Sequence, residues 1–191
     1  KRWGLRGRGG AGFPAGLKWK TVADALAGRK YVVCNADEGD SGTYADRMLM
    51  EGDPFGVIER MTIAGYGVGA SKGYVYIRSE YPDAIRTMER AMDLARDAGC
   101  LGPDAAGSGF AFDLEIRVGA GSYVCGEETA LLESLEGKRG QVRAKPPLPA
   151  HEGPGTNEAL VDAPTSSHRS DASQWRRVRR LLRRRCGDGA R

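Results

Sequence analysis

No stretch of this 191-residue chain approaches the roughly 20 consecutive apolar residues of a membrane span, so the sequence offers no transmembrane helix. Lys1-Arg2-Trp3 is not followed by an apolar signal core, so no export signal is expected. A chain that opens on Lys is expected to lack its true N-terminus. Cysteine pairs are also missing. Cys34, Cys100, Cys125 and Cys186 form no C-x-x-C, which leaves no recognisable zinc or iron–sulfur ligand spacing. Scattered cysteines without a secretion signal point to reduced thiols and a cytoplasmic setting.

The main body also lacks an excess of charge of either sign. Residues 1–152 carry 20 basic and 21 acidic side chains, whereas residues 153–191 carry nine Arg against four acids. The overall charge of +4 therefore comes from the end of the chain, and the body's charge gives no support to nucleic-acid binding. Apolar content of 40% and charged content of 28% are those of a globular chain with one real core and room for an appendage.

What is present begins with glycine. Gly7-Arg8-Gly9-Gly10-Ala11-Gly12-Phe13-Pro14-Ala15-Gly16 has five glycines in ten residues, which is neither helix nor strand composition. Glycine lets the backbone take positive φ and lets a ligand approach main-chain N–H groups, and converging N–H groups bind anions. A helix is expected to start near Leu17, aiming its positive end at the same anion, with Arg8 and Lys18 on either side. The simplest ligand is a phosphate-bearing cofactor. A linker or a tight turn is the plainer alternative, but a linker carries Ser rather than Phe13, Leu17 and Trp19. Gly7-x-Gly9-x-x-Gly12 also fits G-x-G-x-x-G, a weak match because no strand precedes it.

Downstream, strands alternate with helices. The periodicity predicts a helix over 17–26 and a buried strand at Tyr31–Cys34. It predicts a helix entered through Asp53-Pro54 and running towards Gly69, and a strand over 73–78. An amphipathic helix over 82–98, with Ile85, Met88, Met92 and Leu94–Ala95 on one side, a strand over 112–118 and a helix over 127–135 follow. This is an α/β, Rossmann-like pattern with a mainly parallel sheet flanked by helices, and such sheets bind ligands at the carboxyl ends of their strands. Two polar loops fall at such ends. Asn35-Ala36-Asp37-Glu38-Gly39-Asp40 offers three carboxylates and an amide, suited to a metal, to acid–base work, to accepting ribose or base N–H groups, or simply to solvent. Cys125-Gly126-Glu127-Glu128-Thr129 puts two more carboxylates at a helix start, which capping alone would also explain.

Taken jointly these pieces are more specific. GRGGAGFPAGLKW, NADEGDSGTYADR, EGDP, GAGSYVCGEETALLESLEGKRG and RAKPPLP occur in one order over about four fifths of the chain. The chain from Gly4 to about Glu152 closely resembles the family of flavin- and NADH-binding subunits. That family includes the flavoprotein subunit of respiratory complex I, the diaphorase subunit of NAD-reducing hydrogenases and the beta subunit of NAD-dependent formate dehydrogenases. The resemblance implies FMN and NAD(H) as cofactors, hydride transfer between NADH and FMN, and single-electron transfer to iron–sulfur subunits of a multi-subunit oxidoreductase. It implies that Gly7, Arg8, Gly9, Gly10 and Lys18 contact FMN, and that Asn35, Asp37 and Glu38 line the flavin pocket. It further implies that Tyr123, Gly126, Glu127 and Glu128 complete the flavin and nicotinamide sites, and that Phe13 stacks on the adenine. Lys145 would lie at the NADH-binding face, and Asp40 and Glu128 would orient the nicotinamide. NADEGDSGTYADRMLMEGDP and RSEYP look most like formate dehydrogenase beta subunits, with the complex I subunit and an inactive truncated remnant as alternatives.

The chain departs from the family in three ways. After HEG it reads Pro154-Gly155-Thr156-Asn157-Glu158 where the family has G-x-P-T and then N-N-V. Leu148 stands where the family has a second aromatic near the NADH ring. The ubiquitin-like region and the Cys-rich domain that holds a [4Fe–4S] cluster in the family are expected to lie outside this sequence. The expected organisation is thus an FMN/NADH-binding domain over 1–152, with no metal ligands of its own. An irregular basic tail is expected over 153–191. That tail, dominated by Arg176–Arg185, reads as a basic helix for nucleic acid, as a disordered segment, or as out-of-frame translation, the reading its Arg- and Ser-rich composition favours.

Overall fold

A computed structural model describes residues 6–7, 12–145 and, for the backbone alone, 158–162. In chain order the elements are α1 (Ala15–Asp24), β1 (Arg29–Ala36), α2 (Ala45–Gly52), α3 (Pro54–Val68) and β2 (Lys72–Arg78). Then come α4 (Pro82–Asp97), β3 (Asp113–Gly119), α5 (Glu128–Leu135) and β4 (Glu158–Asp162). The strands form one sheet in the order β3-β2-β1-β4, and every pairing is parallel. The expected α/β architecture is therefore present. Glu158–Asp162 departs from the sequence reading, because residues assigned to an irregular tail form an edge strand beside β1. Ala159-Leu160-Val161 is too short an apolar run to show a period by itself.

Side chains alternate between the two faces of a strand, and here the alternation separates two kinds of surface. Val32, Cys34 and Ala36 of β1, Val75 and Ile77 of β2, and Leu114 and Ile116 of β3 join one large apolar cluster with α3 and α4. Val22 of α1 and Met50 of α2 belong to the same cluster. The opposite face has a smaller apolar cluster, in which Val33, Tyr76 and Cys125 are packed with Leu131 and Leu132 of α5.

Local chemistry explains the element ends. Asp53 accepts from the Gly56 N–H at 3.1 Å, and Pro54 occupies the first turn of α3, as expected from the Asp-Pro pair. Helix α2 was not legible in the polar run around it. It is entered through Tyr44, whose φ of 50° is left-handed. In α4 the buried stripe is Ala84, Met88, Ala91, Met92 and Ala95, while Leu94, expected on that stripe, is half exposed. Among the described residues no helix is long and apolar enough to cross a membrane.

Candidate functional site

Because the sheet is parallel, the loops after β1, β2 and β3 leave from the same edge. The loop after β1 starts with Asp37, that after β2 carries Glu80, and that after β3 carries Tyr123 and Gly126. Helix α1 leads into the start of β1, so its own start lies towards this edge. An ion pair of 3.6 Å between Lys18 of α1 and Glu128 at the start of α5 joins the two helix starts.

Asp37 is the centre of the arrangement. It is 6% exposed, and among the described residues neither carboxylate oxygen has a hydrogen-bond partner. Burial pushes its carboxyl up to about 6; nearby Arg78 opposes the rise and Glu80 adds to it. Ionising a buried carboxylate without partners is costly, so two acceptor oxygens in this position suit a ligand that brings N–H donors. Asn35 fixes the neighbouring wall: its amide donates to the Gly126 carbonyl at 2.9 Å, and its side-chain oxygen accepts the Asp37 N–H at 3.3 Å.

Arg78, at the end of β2, ties the loops together. Its Nε and Nη2 donate to the two Glu80 oxygens at 2.8 Å each. Nη1 donates to the Glu38 carbonyl at 3.0 Å, and Nη2 also reaches the Gly121 carbonyl at 3.3 Å. The pairing with Glu80 holds the guanidinium firmly protonated. Two glycines make room for this packing. A Cβ on Gly39 would lie 2.5 Å from the Tyr123 ring. Gly121 combines a φ of +80° with a position where a Cβ would lie 2.7 Å from Glu80. Sequence reasoning passed over Arg78 and Glu80 as site residues. The available signal was a guanidinium closing an apolar strand, followed two residues later by a carboxylate.

The remaining expected residues divide into two groups. The Tyr123 hydroxyl reaches Asp40 at 3.5 Å, and the Tyr123 ring is 71% exposed. The Glu38 carboxylate is turned to the start of α2, where it accepts the Ala45 N–H at 2.7 Å and those of Asp46 and Arg47 at 3.4 Å. Glu38 therefore builds the loop, and its carboxylate faces a helix start rather than an open wall. Around α5, Glu127 is the cap, accepting the N–H groups of Thr129 at 2.8 Å and Ala130 at 3.0 Å. Burial alone would raise the Glu127 carboxyl, but the bonds from Thr129, Lys145 and Ala130 outweigh it and hold it below its usual range. Lys145 donates to Glu127 at 2.9 Å and to Glu128 at 2.7 Å. Arg143 latches this segment down through its N–H to Thr129 at 2.9 Å and its guanidinium to Glu133 and Glu136.

Before α1, Gly7 donates its N–H to Phe13 at 2.8 Å, closing the base of the Gly-rich loop, and Phe13 is half exposed. The Gly7 N–H thus has a backbone partner. The expectations for Arg8, Gly9, Gly10, Leu148 and the segment after HEG lie outside the described residues.

The donor set fits a flavin mononucleotide. Lys18 and Lys145 supply cations for phosphate, Asp37 supplies a buried acceptor for ring N–H groups, and Tyr123 and Phe13 present exposed aromatic surface.

Comparison with known proteins agrees with this chemistry. Residues 1–159 match the family described as the Nuo51 FMN-binding domain. The chain is 58% identical over 162 residues to the NADP-reducing hydrogenase subunit HndC of Solidesulfovibrio fructosivorans, spanning 85% of this chain and 33% of that one. It is 57% identical over 150 residues to an NADH-quinone oxidoreductase subunit of Rhizobium meliloti (strain 1021), spanning 78% of this chain and 36% of that one. A crystal structure of an NAD+-reducing [NiFe]-hydrogenase in the H2-reduced state superposes with a TM-score of 0.78 at 40% identity, over 86% of this chain and 27% of that chain. The chain spans about a third of the length of the curated relatives it matches.

Proposed function

The chain belongs to the family of the Nuo51 FMN-binding domain, and from that premise we propose that it is the FMN- and NADH-binding part of an NADH-oxidising flavoprotein subunit. Its relatives are named as subunits of hydrogenases and of NADH-quinone oxidoreductase. On this reading the electron partners are iron–sulfur subunits of a cytoplasmic multi-subunit oxidoreductase. FMN, when bound, supplies the exchange of an electron pair with a nicotinamide as hydride and of single electrons with iron–sulfur centres.

The observation that carries the proposal is Asp37, whose buried oxygens have no hydrogen-bond partner among the described residues. It accepts the ring N–H of the flavin, and Asn35 holds the wall that Asp37 stands on. Lys18 and Lys145 attract the phosphates of flavin and dinucleotide, each held ready on Glu128. Phe13 and Tyr123 would supply exposed aromatic surface to the bound rings. Glu128 and Asp40 orient the nicotinamide; neither needs to move a proton.

Titrating FMN with the 191-residue chain tests this through quenching of flavin fluorescence. Saturable binding is expected. A hydrogen bond to a charged group contributes about 1.5–3 kcal/mol, so Asp37→Leu should raise the FMN Kd tenfold or more. Equal affinity in wild type and variant would remove Asp37 from the site. No binding at all would favour the non-catalytic remnant.

The finer reading, a formate dehydrogenase beta subunit, rests on NADEGDSGTYADRMLMEGDP and RSEYP alone. The relatives support the coarser class, NADH-oxidising flavoproteins of hydrogenases and complex I.

A further inference from the structure

Arg78 presents an electrostatic puzzle. A guanidinium is the natural partner of a buried carboxylate, and Arg78 is the cation that most lowers the Asp37 carboxyl. Yet it makes no hydrogen bond to Asp37. Its Nε and Nη2 are taken up in a fork by Glu80, and its remaining contacts are the carbonyls of Glu38 and Gly121. The Arg78 side chain is 15% exposed and that of Glu80 is 51% exposed, so Glu80 holds the guanidinium from the solvent side. The fork-to-fork geometry fixes orientation as well as charge.

We propose that Arg78 and Glu80 act together as a positioning pair for this site. Glu80 occupies the fork of Arg78, so that the guanidinium fastens the loops at Glu38 and Gly121 while the buried Asp37 carboxylate is left without a guanidinium partner, as an acceptor for a ligand's N–H donor. The proposal rests on the flavin reading for the identity of that ligand, and on the geometry alone for the restraint of Arg78. Glu80 thereby has a role opposite to that of an ordinary surface acid. Removing it frees the guanidinium to turn onto Asp37 and fill the acceptor that a ligand needs.

The groups facing Asp37 define what else could answer. Asn35 stands on its own strand, and Tyr76, Arg78 and Glu80 come from β2 and the turn after it. Gly126 comes from the turn before α5. Tyr76 is bonded to Ser134 at 2.8 Å, and burial pushes its hydroxyl up to about 12, so it stays neutral over the working range. Among the described residues of these elements, that leaves Arg78 as the cation able to reach Asp37.

The test uses the 191-residue chain with 13C-carboxyl-labelled aspartate, comparing wild type with Glu80→Gln, Arg78→Gln and Arg78→Lys. One readout is the Asp37 titration midpoint without ligand, assigned with Asp37→Asn, and the other is the FMN Kd. Glu80→Gln is expected to lower the Asp37 midpoint from about 6 towards the ordinary aspartate range and to weaken FMN at least fivefold. Arg78→Gln is expected to raise the midpoint and to weaken FMN tenfold, because the loops part. Arg78→Lys keeps the charge without the fork and should restore the midpoint only in part. Loss of the Glu80 charge by itself lowers the midpoint, so the Glu80→Gln shift is compared with the same change made in the Arg78→Gln background. A merely structural pair would give equal shifts in the two backgrounds and an unchanged FMN Kd. An unchanged or raised midpoint in Glu80→Gln overturns the proposal, as does a lowered midpoint with unchanged FMN Kd. Should Arg78→Gln fail to fold, Glu80→Gln and Arg78→Lys decide the matter alone. If wild type takes up no FMN, the flavin reading falls, while the titration still judges whether Glu80 holds Arg78 away from Asp37.

Discussion

The two faces of the sheet are built to different specifications. One is covered by α3 and α4 together with α1 and α2, and its strand residues are Val, Cys, Ala, Ile and Leu. The other shows Asn35 and, just past β1, Asp37; Tyr74, Tyr76 and Arg78 on β2; and Glu115 and Arg117 on β3, with α5 as its apolar cover. Every polar group proposed for the site that comes from a strand or its end lies on this second face. The thick face holds the strands in place, and the thin face can then keep a carboxylate buried and unpaired, an arrangement that costs stability. A region that bore both duties would have to satisfy Asp37 internally.

The largest effect that this contrast predicts is in the thick layer. Phe112 is 1% exposed, its ring stacks on Phe110 at 6.0 Å, and it lies against Gly65 and Gly73. Phe112→Ala should cost about 3–5 kcal/mol. Leu131→Ala, which empties a 2% exposed site beneath α5, should cost about 2–3 kcal/mol, at the lower end of such truncations because the thin layer can close over the gap. Urea denaturation of the two variants gives the comparison. A loss for Leu131→Ala equal to that for Phe112→Ala would show that both faces carry the fold alike.

The next effect concerns pH. The Asp37 carboxyl lies at about 6 in the folded chain against 3.8 ordinarily, so the folded state holds that proton more tightly than the unfolded state does. Its contribution is fully present below about pH 4 and is lost as pH climbs through about 6. At 1.36 kcal/mol per pH unit this amounts to at most about 3 kcal/mol. Asp37→Asn removes the titration, so the variant should gain about 1–3 kcal/mol over wild type at pH 8 and little at pH 4. Thermal midpoints measured across that range check the difference. A variant that is less stable than wild type at pH 8 would mean that Asp37 is paired in solution.

How much of this was legible depended on the period of the pattern. The thick face was readable in part, because Tyr31–Cys34 is a continuous apolar run, Leu114 and Ile116 obey strand alternation, and Met88 and Met92 obey the helical one. Asp53-Pro54 announced a helix start by local chemistry that needs no tertiary context. Helix α2 was not readable: its start is fixed by the Glu38 carboxylate seven residues earlier and by a left-handed Tyr44, neither of which leaves a periodic trace. In the site, the motifs named Asn35, Asp37, Tyr123, Glu127, Glu128 and Lys145, and the structure groups them at one edge. They could not separate a carboxylate that caps a helix, such as Glu38, from one left without partners, such as Asp37. That distinction depends on which backbone N–H groups come within 3 Å, and folding decides it. Arg78 was missed for the same reason, since its importance lies in contacts with residues about 40 positions away, and Glu80 matters only through Arg78.

The smallest effect sharpens the comparison from the thin side. Glu128 lies between two lysines, with Lys145 at 2.7 Å and Lys18 at 3.6 Å, and it looks like a structural keystone. The physics argues otherwise. The three side chains are 26%, 34% and 27% exposed, so water screens each pair and each lysine gives up rotamer freedom to hold its place. Partly exposed pairs of this kind are worth about 0–1 kcal/mol. Lys145 keeps a second partner in Glu127 at 2.9 Å if Glu128 loses its charge. Glu128→Gln should therefore change stability by less than about 1 kcal/mol at low salt. That difference should shrink further in 1 M salt, where the screening length falls to about 3 Å. Chemical denaturation at the two ionic strengths measures it. Loss of several kcal/mol, or a loss indifferent to salt, would show the two lysines to be welded into the thin face rather than held ready for a phosphate, and the contrast between the supporting and the working face would then fail at the residue where it should be clearest.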